Sequence, residues 1–229
     1  MQETNDGGFI ISGFSLSSNT GTLTGLTGNG NQDFWIIKLN SAGAIEWQQL
    51  LGGSATDISR SIHQTMDGGF IVTGISSSSN TGTLAGLTTH GGTDCWILKL
   101  DDSGTILWQK LFGGSLADVA YRAVQVQDGG YVVFGYALSS NTGTLSGLTN
   151  NGNGDYWMMK LDQSGVIVWQ KLFGGTLEDH GTTFRKTTDD GFILSGYSLS
   201  SDTGNLQGLM NHGDYDCWIF KIDANGNQD

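Results

Sequence analysis

Two series of residues in this chain could do chemistry, and both repeat every 61 residues. One is a series of aspartates that each precede a short apolar run: Asp33, Asp94, Asp155 and Asp216. The other alternates asparagine and histidine four positions earlier: Asn29, His90, Asn151 and His212. Carboxylate, amide and imidazole groups in one loop can hydrogen-bond a polar ligand such as a sugar. We therefore treat these residues, together with Asp214, as candidate ligand-binding residues.

The aspartates also raise the question of a metal. Calcium takes six to eight oxygen ligands, usually with more than one carboxylate among them. Each loop supplies one well-placed aspartate beside asparagine, threonine and carbonyl oxygens, and no D-x-D-x-D-G motif is present. An aspartate at the start of a strand commonly bonds to loop amides instead. The sequence therefore predicts no metal and no other cofactor, with Ca²⁺ near Asp33, Asp94, Asp155 and Asp216 as the alternative.

Motifs of catalysis are missing from the sequence. It contains no G-x-S-x-G and no H-E-x-x-H. The richest ionisable cluster in the loops, His212 with Asp214 and Asp216, occurs in the fourth copy alone. Enzymes usually break the symmetry of a repeat in one place, whereas the other candidate sites are equal in all copies. We predict that the protein is not an enzyme, with this cluster as the place for chemistry if it is one.

Three arginines lie on the strands that begin the repeats: Arg60, Arg122 and Arg185. If these strands are innermost in the fold, the arginines line a channel and attract an anion. Ordinary salt bridges to nearby aspartates are the expectation that we prefer for them.

The 61-residue period extends over the whole chain and divides it into repeats of about 1–56, 57–117, 118–178 and 179–229. The phrase SSNTGTL around Asn19 returns around Asn80 and Asn141, with a variant around Asp202. All seven tryptophans occupy repeat positions, which favours packing over ligand binding for each of them. Two leucines in each copy of the phrase predict a folded loop whose asparagine and glycine positions serve its backbone.

Each repeat reads as four short strands, which we call a to d in chain order. In the second copy they are 57–65, 69–76, 94–101 and 105–112, rich in Ile, Val, Phe and Trp between Gly, Asn and Asp clusters. Asp-Gly turns link a to b, and almost no helix is expected. Four antiparallel strands cannot bury both faces alone, so repeats must cover one another. The pattern predicts an all-β fold, a β-propeller forming one domain over 1–229.

Strand d of the fourth repeat is missing from the sequence. The last blade is therefore predicted to end on strand c with an open edge, which invites self-association. We favour a ring of four blades. A fragment of a longer array, or half of a ring completed by a second chain, are the alternatives.

Composition excludes several classes of partner. The net charge of −12 and a pI near 4.4 argue against binding to nucleic acid or anionic membranes. No apolar run has the length of a transmembrane helix, so membrane insertion is not expected, and the start MQETND does not resemble a signal segment. Cys95 and Cys217 are two periods apart, which predicts free thiols in packed positions.

The segments WQKLFGGSLADVAYRAVQVQDGGYVVFGY and DYWMMKLDQSG resemble the bacterial β-propeller repeat called SBBP. The resemblance covers nearly the whole chain and implies a secreted or cell-surface bacterial protein with no enzymatic activity attached to the repeat. The d strand followed by Gly-Gly also resembles the outermost strand of quinoprotein-type propeller blades, which implies that strand a is innermost.

Strand direction alternates, so the b–c and d–a loops share one face of the predicted fold. Our first hypothesis is a non-enzymatic binding or scaffold module that takes a protein or glycan ligand on this loop-rich face. A lectin-like propeller that binds sugars at the repeated Asn, Asp and His positions is the second.

Overall fold

The computed structural model describes residues 1–229 and consists of fifteen strands and four short 3₁₀ turns. The first sheet contains β1 (Gln2–Glu3), β2 (Phe9–Ser15), β3 (Asp33–Leu39) and β4 (Ile45–Leu51). The second contains β5 (Asp57–Gln64), β6 (Phe70–Ser76), β7 (Asp94–Leu100) and β8 (Ile106–Phe112). The third contains β9 (Asp118–Gln125), β10 (Tyr131–Ala137), β11 (Asp155–Leu161) and β12 (Ile167–Phe173). The fourth contains β13 (Asp179–Lys186), β14 (Phe192–Ser198) and β15 (Asp216–Ile222).

The 3₁₀ turns lie inside the b–c loops, at Gly21–Leu23, Gly82–Leu84, Gly143–Leu145 and Gly204–Leu206. Every sheet is antiparallel with its strands in chain order, and each falls within one 61-residue repeat. The predicted all-β fold and its repeated four-strand unit are thus confirmed, with three strands in the last unit. None of the helical segments is long and apolar enough to cross a membrane.

The sheets stack face to face through three hydrophobic clusters, each shared by two successive sheets. Phe34 of the first sheet packs against Trp96 of the second with ring centroids 4.6 Å apart. All seven residues of β7 are buried, because β6 and β8 flank it while the neighbouring sheets cover its faces. Trp96 and its equivalent Trp157 are 0% and 1% exposed, so they are core residues as predicted.

Tight turns on the face opposite the long loops are closed by ion pairs. Asp67 in the a–b turn accepts a hydrogen bond from the Gly69 amide and pairs with Lys99 of strand c, whose Nζ lies 2.9 Å from the carboxylate. Equivalent pairs join Asp6 to Lys38, Asp128 to Lys160 and Asp189 to Lys221. The D-G-G and K-L-D motifs therefore supply the two partners of the same ion pair.

The tryptophans of strand d hold successive sheets together at the same face. Trp47 Nε1 donates to the Asp102 carbonyl of the next sheet at 3.0 Å. Its ring covers Gly104, where an added Cβ would lie 2.9 Å from Cζ3. Trp108 and Gly165 repeat this arrangement one sheet later. The glycine in the c–d turn is thus required by the ring that lies on it.

The stack is open at both ends. Ile193 and Ile219 of the fourth sheet are 42% and 58% exposed, whereas their equivalents in the second sheet, Ile71 and Ile97, are 1% and 0% exposed. No hydrophobic cluster joins the fourth sheet to the first. The expected closure into a ring of four is therefore not seen, and the sheets form an open arc.

Both cysteines are free, as predicted. Cys95 fills a packed position, but Cys217 is exposed. The expectation of packing was wrong for Cys217 because no further sheet covers that side of β15.

Candidate functional site

The predicted loop aspartates stabilise their own loops. In each copy one carboxylate oxygen accepts the backbone N–H of the Asn or His four residues earlier, at 2.6–2.9 Å. The pairs are Asp33 with Asn29, Asp94 with His90, Asp155 with Asn151, and Asp216 with His212. The structure therefore brings the two predicted series together through the main chain of each loop.

In the second, third and fourth copies, the phrase SSNTGTL or its variant joins the loop to the connection that follows the preceding sheet. In the second copy, Ser78 Oγ donates to Asp57 and Thr81 Oγ1 accepts the Ser54 N–H, both within 2.9 Å. The Thr83 N–H donates to the Gly52 carbonyl at 2.8 Å. We call these contacts the latch. It recurs with Ser139, Thr142 and Thr144 in the third copy and with Ser200, Thr203 and Asn205 in the fourth.

The backbone conformation and the packing of the phrase explain its asparagine and its leucine. Asn80 has a φ of 51°, and its Oδ1 accepts the Gly86 N–H at 2.8 Å. Asparagine tolerates this left-handed conformation better than other non-glycine residues. Leu84 is fully buried beneath the loop. The predicted folded loop is confirmed, and its polar side chains are largely occupied within the fold.

The cluster unique to the fourth copy lies in solvent. The His212 side chain is 86% exposed and that of Asp216 is 41% exposed, with His212 Nδ1 3.5 Å from Asp216 Oδ2. Asp214 is exposed and has a φ of 46°. No group of three or more His, Cys, Asp or Glu side chains has a metal-binding arrangement. Calcium or sugar binding by the loop residues stays a prediction.

Buried carboxylates meet where the latch joins the sheets. Asp155 Oδ1 is buried without a hydrogen-bond partner, and so are the equivalent oxygens of Asp33 and Asp94. A Cβ added at Gly174 would lie 2.2 Å from Asp155 Oδ1 and 2.9 Å from Asp179 Oδ2, so the two acids approach the same point. Burial, with a further contribution from Asp179, raises the pKa of Asp155 to about 7.

A second site, which we call the inner-strand cavity, lies where the first strands of the sheets converge. Strands β5, β9 and β13 lie beside one another. Between them is a cavity of about 290 Å³ lined by Arg60, His63, Tyr121, Arg122 and Thr182 among others. All these side chains belong to first strands. Arg60, Tyr121 and Thr182 are the extra residues of β-bulges in β5, β9 and β13, where the alternation of side chains along the strand is interrupted.

The two arginines that line the cavity, and Arg185 on β13, have no ionic partners. None of the salt bridges or side-chain hydrogen bonds of the chain involves Arg60, Arg122 or Arg185. The expectation of ordinary salt bridges was therefore wrong. The aspartates bond instead to the latch groups at the starts of these strands and to the lysines at the tight turns.

Positive charge at the cavity is partly desolvated. Arg122 Nε is buried without a partner, and the guanidinium lies 5.9 Å from the centroid of the Phe184 ring. Burial, and then the charge of Arg185, lowers the pKa of Arg122. Burial, followed by the charge of Arg122, lowers the pKa of His63 to about 4. His63 is thus neutral at pH 7, and the arginines carry the charge.

Tyr121 connects the cavity to a cluster of rings. Its hydroxyl lies 2.7 Å from Nε2 of His180. His180 stacks between Tyr136 and Tyr197, with centroid distances of 4.2 and 4.8 Å. Burial raises the pKa of Tyr121 to about 12 and lowers that of His180, so a protonated phenol meets a neutral imidazole.

Sequence reasoning missed this cluster of rings, although a signal was present. Tyr121 occupies the position of Arg60 and Thr182 in neighbouring copies, and His180 that of Ile58 and Val119. Both residues depart from the repeat, and they contact each other across one junction between sheets. Departures from the repeat that share a junction would have indicated the site.

Comparison with known proteins adds little to this picture. No family model matches the chain, and no curated protein matches it. Among solved structures, a protein of unknown function from Bacteroides caccae is similar with a TM-score of 0.33. It is 13% identical, with 86% of this chain and 74% of that chain covered. A likeness at this level carries no argument about function.

Proposed function

We propose that the chain is a non-enzymatic binding module that holds an anionic ligand at the inner-strand cavity. Two arginines that line the cavity without a carboxylate partner, Arg60 and Arg122, in a chain of net charge −12, carry this proposal. Arg122 is half-buried with its Nε unpartnered, and such a cation is costly unless an opposite charge or hydrogen bonds compensate it. An oxyanion in the cavity would supply both.

The chemistry of the lining residues defines the class of ligand. Guanidinium groups bind carboxylate, sulfate and phosphate in a bidentate manner. Ser61 and the protonated Tyr121 add hydroxyl groups at the same cavity. A small acid that also carries hydroxyl groups, such as a sugar acid, fits this set of donors and acceptors.

The architecture and setting belong to the same proposal. The repeated four-strand sheets support β-propeller blades, and the SBBP type is proposed from the resemblance of the sequence. Secretion or display on a bacterial surface is proposed from that resemblance. A scaffold role for the loop-rich face is compatible with ligand binding at the inner strands. The loops join the sheets through the latch, whereas the ligand would bind at a different surface.

Neutral carbohydrate is the second candidate ligand. Tyr215 is 51% exposed, packs edge-on against Tyr197 at 4.8 Å and donates from its hydroxyl to Glu178 at 3.0 Å. Exposed aromatic rings beside polar groups are typical of small-molecule sites. A glycan array that retains neutral sugars and no acidic ones would favour this candidate.

Calorimetric titration with glucuronate and with inorganic sulfate at low ionic strength tests the first proposal. We expect saturable binding of at least one probe, weakened at least tenfold by Arg122→Gln because a charged hydrogen bond is lost. Lys110→Gln is the matched control, since it removes one positive charge from the outer strand β8. Equal weakening by both variants, or no binding in the millimolar range, would contradict the proposal.

A further inference from the structure

Tyr121 belongs both to the inner-strand cavity and to the cluster of rings at the junction between the third and fourth sheets. Its ring stacks on Tyr136 with centroids 6.2 Å apart, and its hydroxyl lies 2.7 Å from Nε2 of His180. A phenol has a single hydrogen to donate, and otherwise its oxygen can only accept. The direction of the bond to His180 therefore decides what the hydroxyl offers to a ligand.

The surroundings of His180 set the direction of that bond. Its Nδ1 is buried without a hydrogen bond, and the carboxylate oxygen Oε1 of Glu178 lies 3.7 Å away. This negative charge favours a proton on Nδ1, which leaves Nε2 as an acceptor. Burial lowers the pKa of His180 and outweighs the charge of Glu178, so the ring is neutral at pH 7. Burial raises the pKa of Tyr121 to about 12, so the phenol keeps its hydrogen and donates it to Nε2.

Packing of the sheets does not require these polar groups. The positions of Tyr136, His180 and Glu178 hold apolar residues at the junction between the second and third sheets, namely Ile75, Val119 and Ala117. The two sheets pack there through a hydrophobic cluster all the same. The hydrogen-bonded set around Tyr121 therefore has a role other than stacking the sheets.

Toward the cavity, the oxygen of Tyr121 is consequently an acceptor beside positive charge. Arg60, Tyr121 and Arg122 line the same space of about 290 Å³. The charge of Arg60 also acts on the phenol, since it lowers the pKa of Tyr121 after burial and Tyr136 have raised it. Guanidinium groups bind oxyanions, whereas a phenol oxygen that has donated its hydrogen binds an O–H or N–H group. The cavity therefore requires opposite chemical groups from two parts of one ligand.

We propose that Tyr121 and His180 make the inner-strand cavity selective for acids that carry a hydroxyl group over acids that do not. The proposal rests on the anion binding proposed above and adds the residues that choose among anions. A simple oxyanion satisfies the arginines but leaves the oxygen of Tyr121 without the donor that water had supplied, and such a loss costs free energy. His180 is a positioning residue here, because it keeps the phenol hydrogen from turning toward the oxyanion.

Calorimetric titration of the full chain with glucuronate and with cyclohexanecarboxylate tests the proposal, because the second acid has a ring of the same size and no hydroxyl group. We expect glucuronate to bind at least about tenfold more tightly. Tyr121→Phe should remove about tenfold of this preference by weakening glucuronate, and should leave cyclohexanecarboxylate unchanged. Tyr131→Phe is the matched control, since it removes a phenol hydroxyl of β10 that does not line the cavity. It should leave the preference as it is.

His180→Leu separates positioning from a merely structural role. This variant should also reduce the preference, but by strengthening the binding of cyclohexanecarboxylate, because the phenol hydrogen becomes free to donate to the carboxylate. Equal weakening of both acids would show that His180 only supports the fold of the cavity, and would contradict its positioning role.

Nitrogen NMR of the histidine rings at neutral pH reads the tautomer without any ligand. We expect the proton of His180 on Nδ1, and this result and the Tyr121→Phe titration decide the matter if His180→Leu does not fold. A proton on Nε2, or equal binding of glucuronate and cyclohexanecarboxylate by the unaltered chain, would overturn the selectivity and leave anion binding standing. Binding of neither acid would overturn anion binding and its selectivity together.

Discussion

Replacing Asp118 by alanine is expected to lower the free energy of unfolding by about 3–5 kcal/mol, because buried donors left without an acceptor cost about 1–3 kcal/mol each. Asp118 is fully buried and accepts hydrogen bonds from the Gly114 N–H at 2.7 Å and from the Ser139 N–H and Oγ at 3.1 and 2.7 Å. Alanine would leave all three donors unpaired at the latch between the second and third sheets. Urea unfolding followed by tryptophan fluorescence measures the loss.

Asp102→Ala is the matched control for that experiment. Asp102 is exposed in a tight turn, and its carboxylate makes no hydrogen bond. Its replacement should change stability by less than about 0.5 kcal/mol, as for most surface substitutions. A loss at Asp118 as small as that at Asp102 would show that the latch does not join the sheets energetically.

Asp155→Asn is expected to stabilise the protein at pH 8 and to have little effect at pH 4. The pKa of Asp155 is raised by burial from 3.8 to about 7 in the folded state. Between these values the unfolded chain has released a proton that the folded chain keeps, so the free energy of unfolding falls as pH rises. Three pKa units correspond to at most about 4 kcal/mol, and asparagine carries no such proton.

Unfolding curves of the two proteins at several pH values measure this difference. The stability gap should widen between pH 4 and pH 7 and then stay constant. Asp216→Asn is the control at the equivalent position, where solvent reaches 41% of the side chain and no further sheet buries the carboxylate. A gap at Asp155 that is independent of pH would contradict the buried, protonated carboxyl group.

Local signals in the sequence were enough for the sheets. Strands predicted at 57–65 and 94–101 are observed at Asp57–Gln64 and Asp94–Leu100. The strands could be predicted because apolar runs and Asp-Gly turns determine the local backbone within a few residues. The packing of the sheets against one another could also be predicted, since a four-strand unit needs neighbours on both faces. Whether the sheets close into a ring could not be predicted from the sequence. Closure depends on the angle between successive sheets, which no short segment determines.

The candidate site was harder to predict for a related reason. Whether Arg122 has a carboxylate partner depends on where every aspartate of the neighbouring strands points. The latch groups and the turn lysines bond these aspartates, so none of them pairs with the arginines of the inner strands. The contact between Tyr121 and His180 spans 59 residues and two sheets, so only their departure from the repeat was visible in advance.

The latch also bears on how the gene for such a chain can change. Every latch joins a loop to the preceding sheet through equivalent positions, so the latch itself would accept any unit after any other. Recombination between copies offset by 61 residues, or a multiple, would insert or delete whole sheets and keep the latch at the new joint. The junction with Tyr121 and His180 is the exception. An exchange there separates the two rings, so this pair marks a point at which the order of units is fixed by contact.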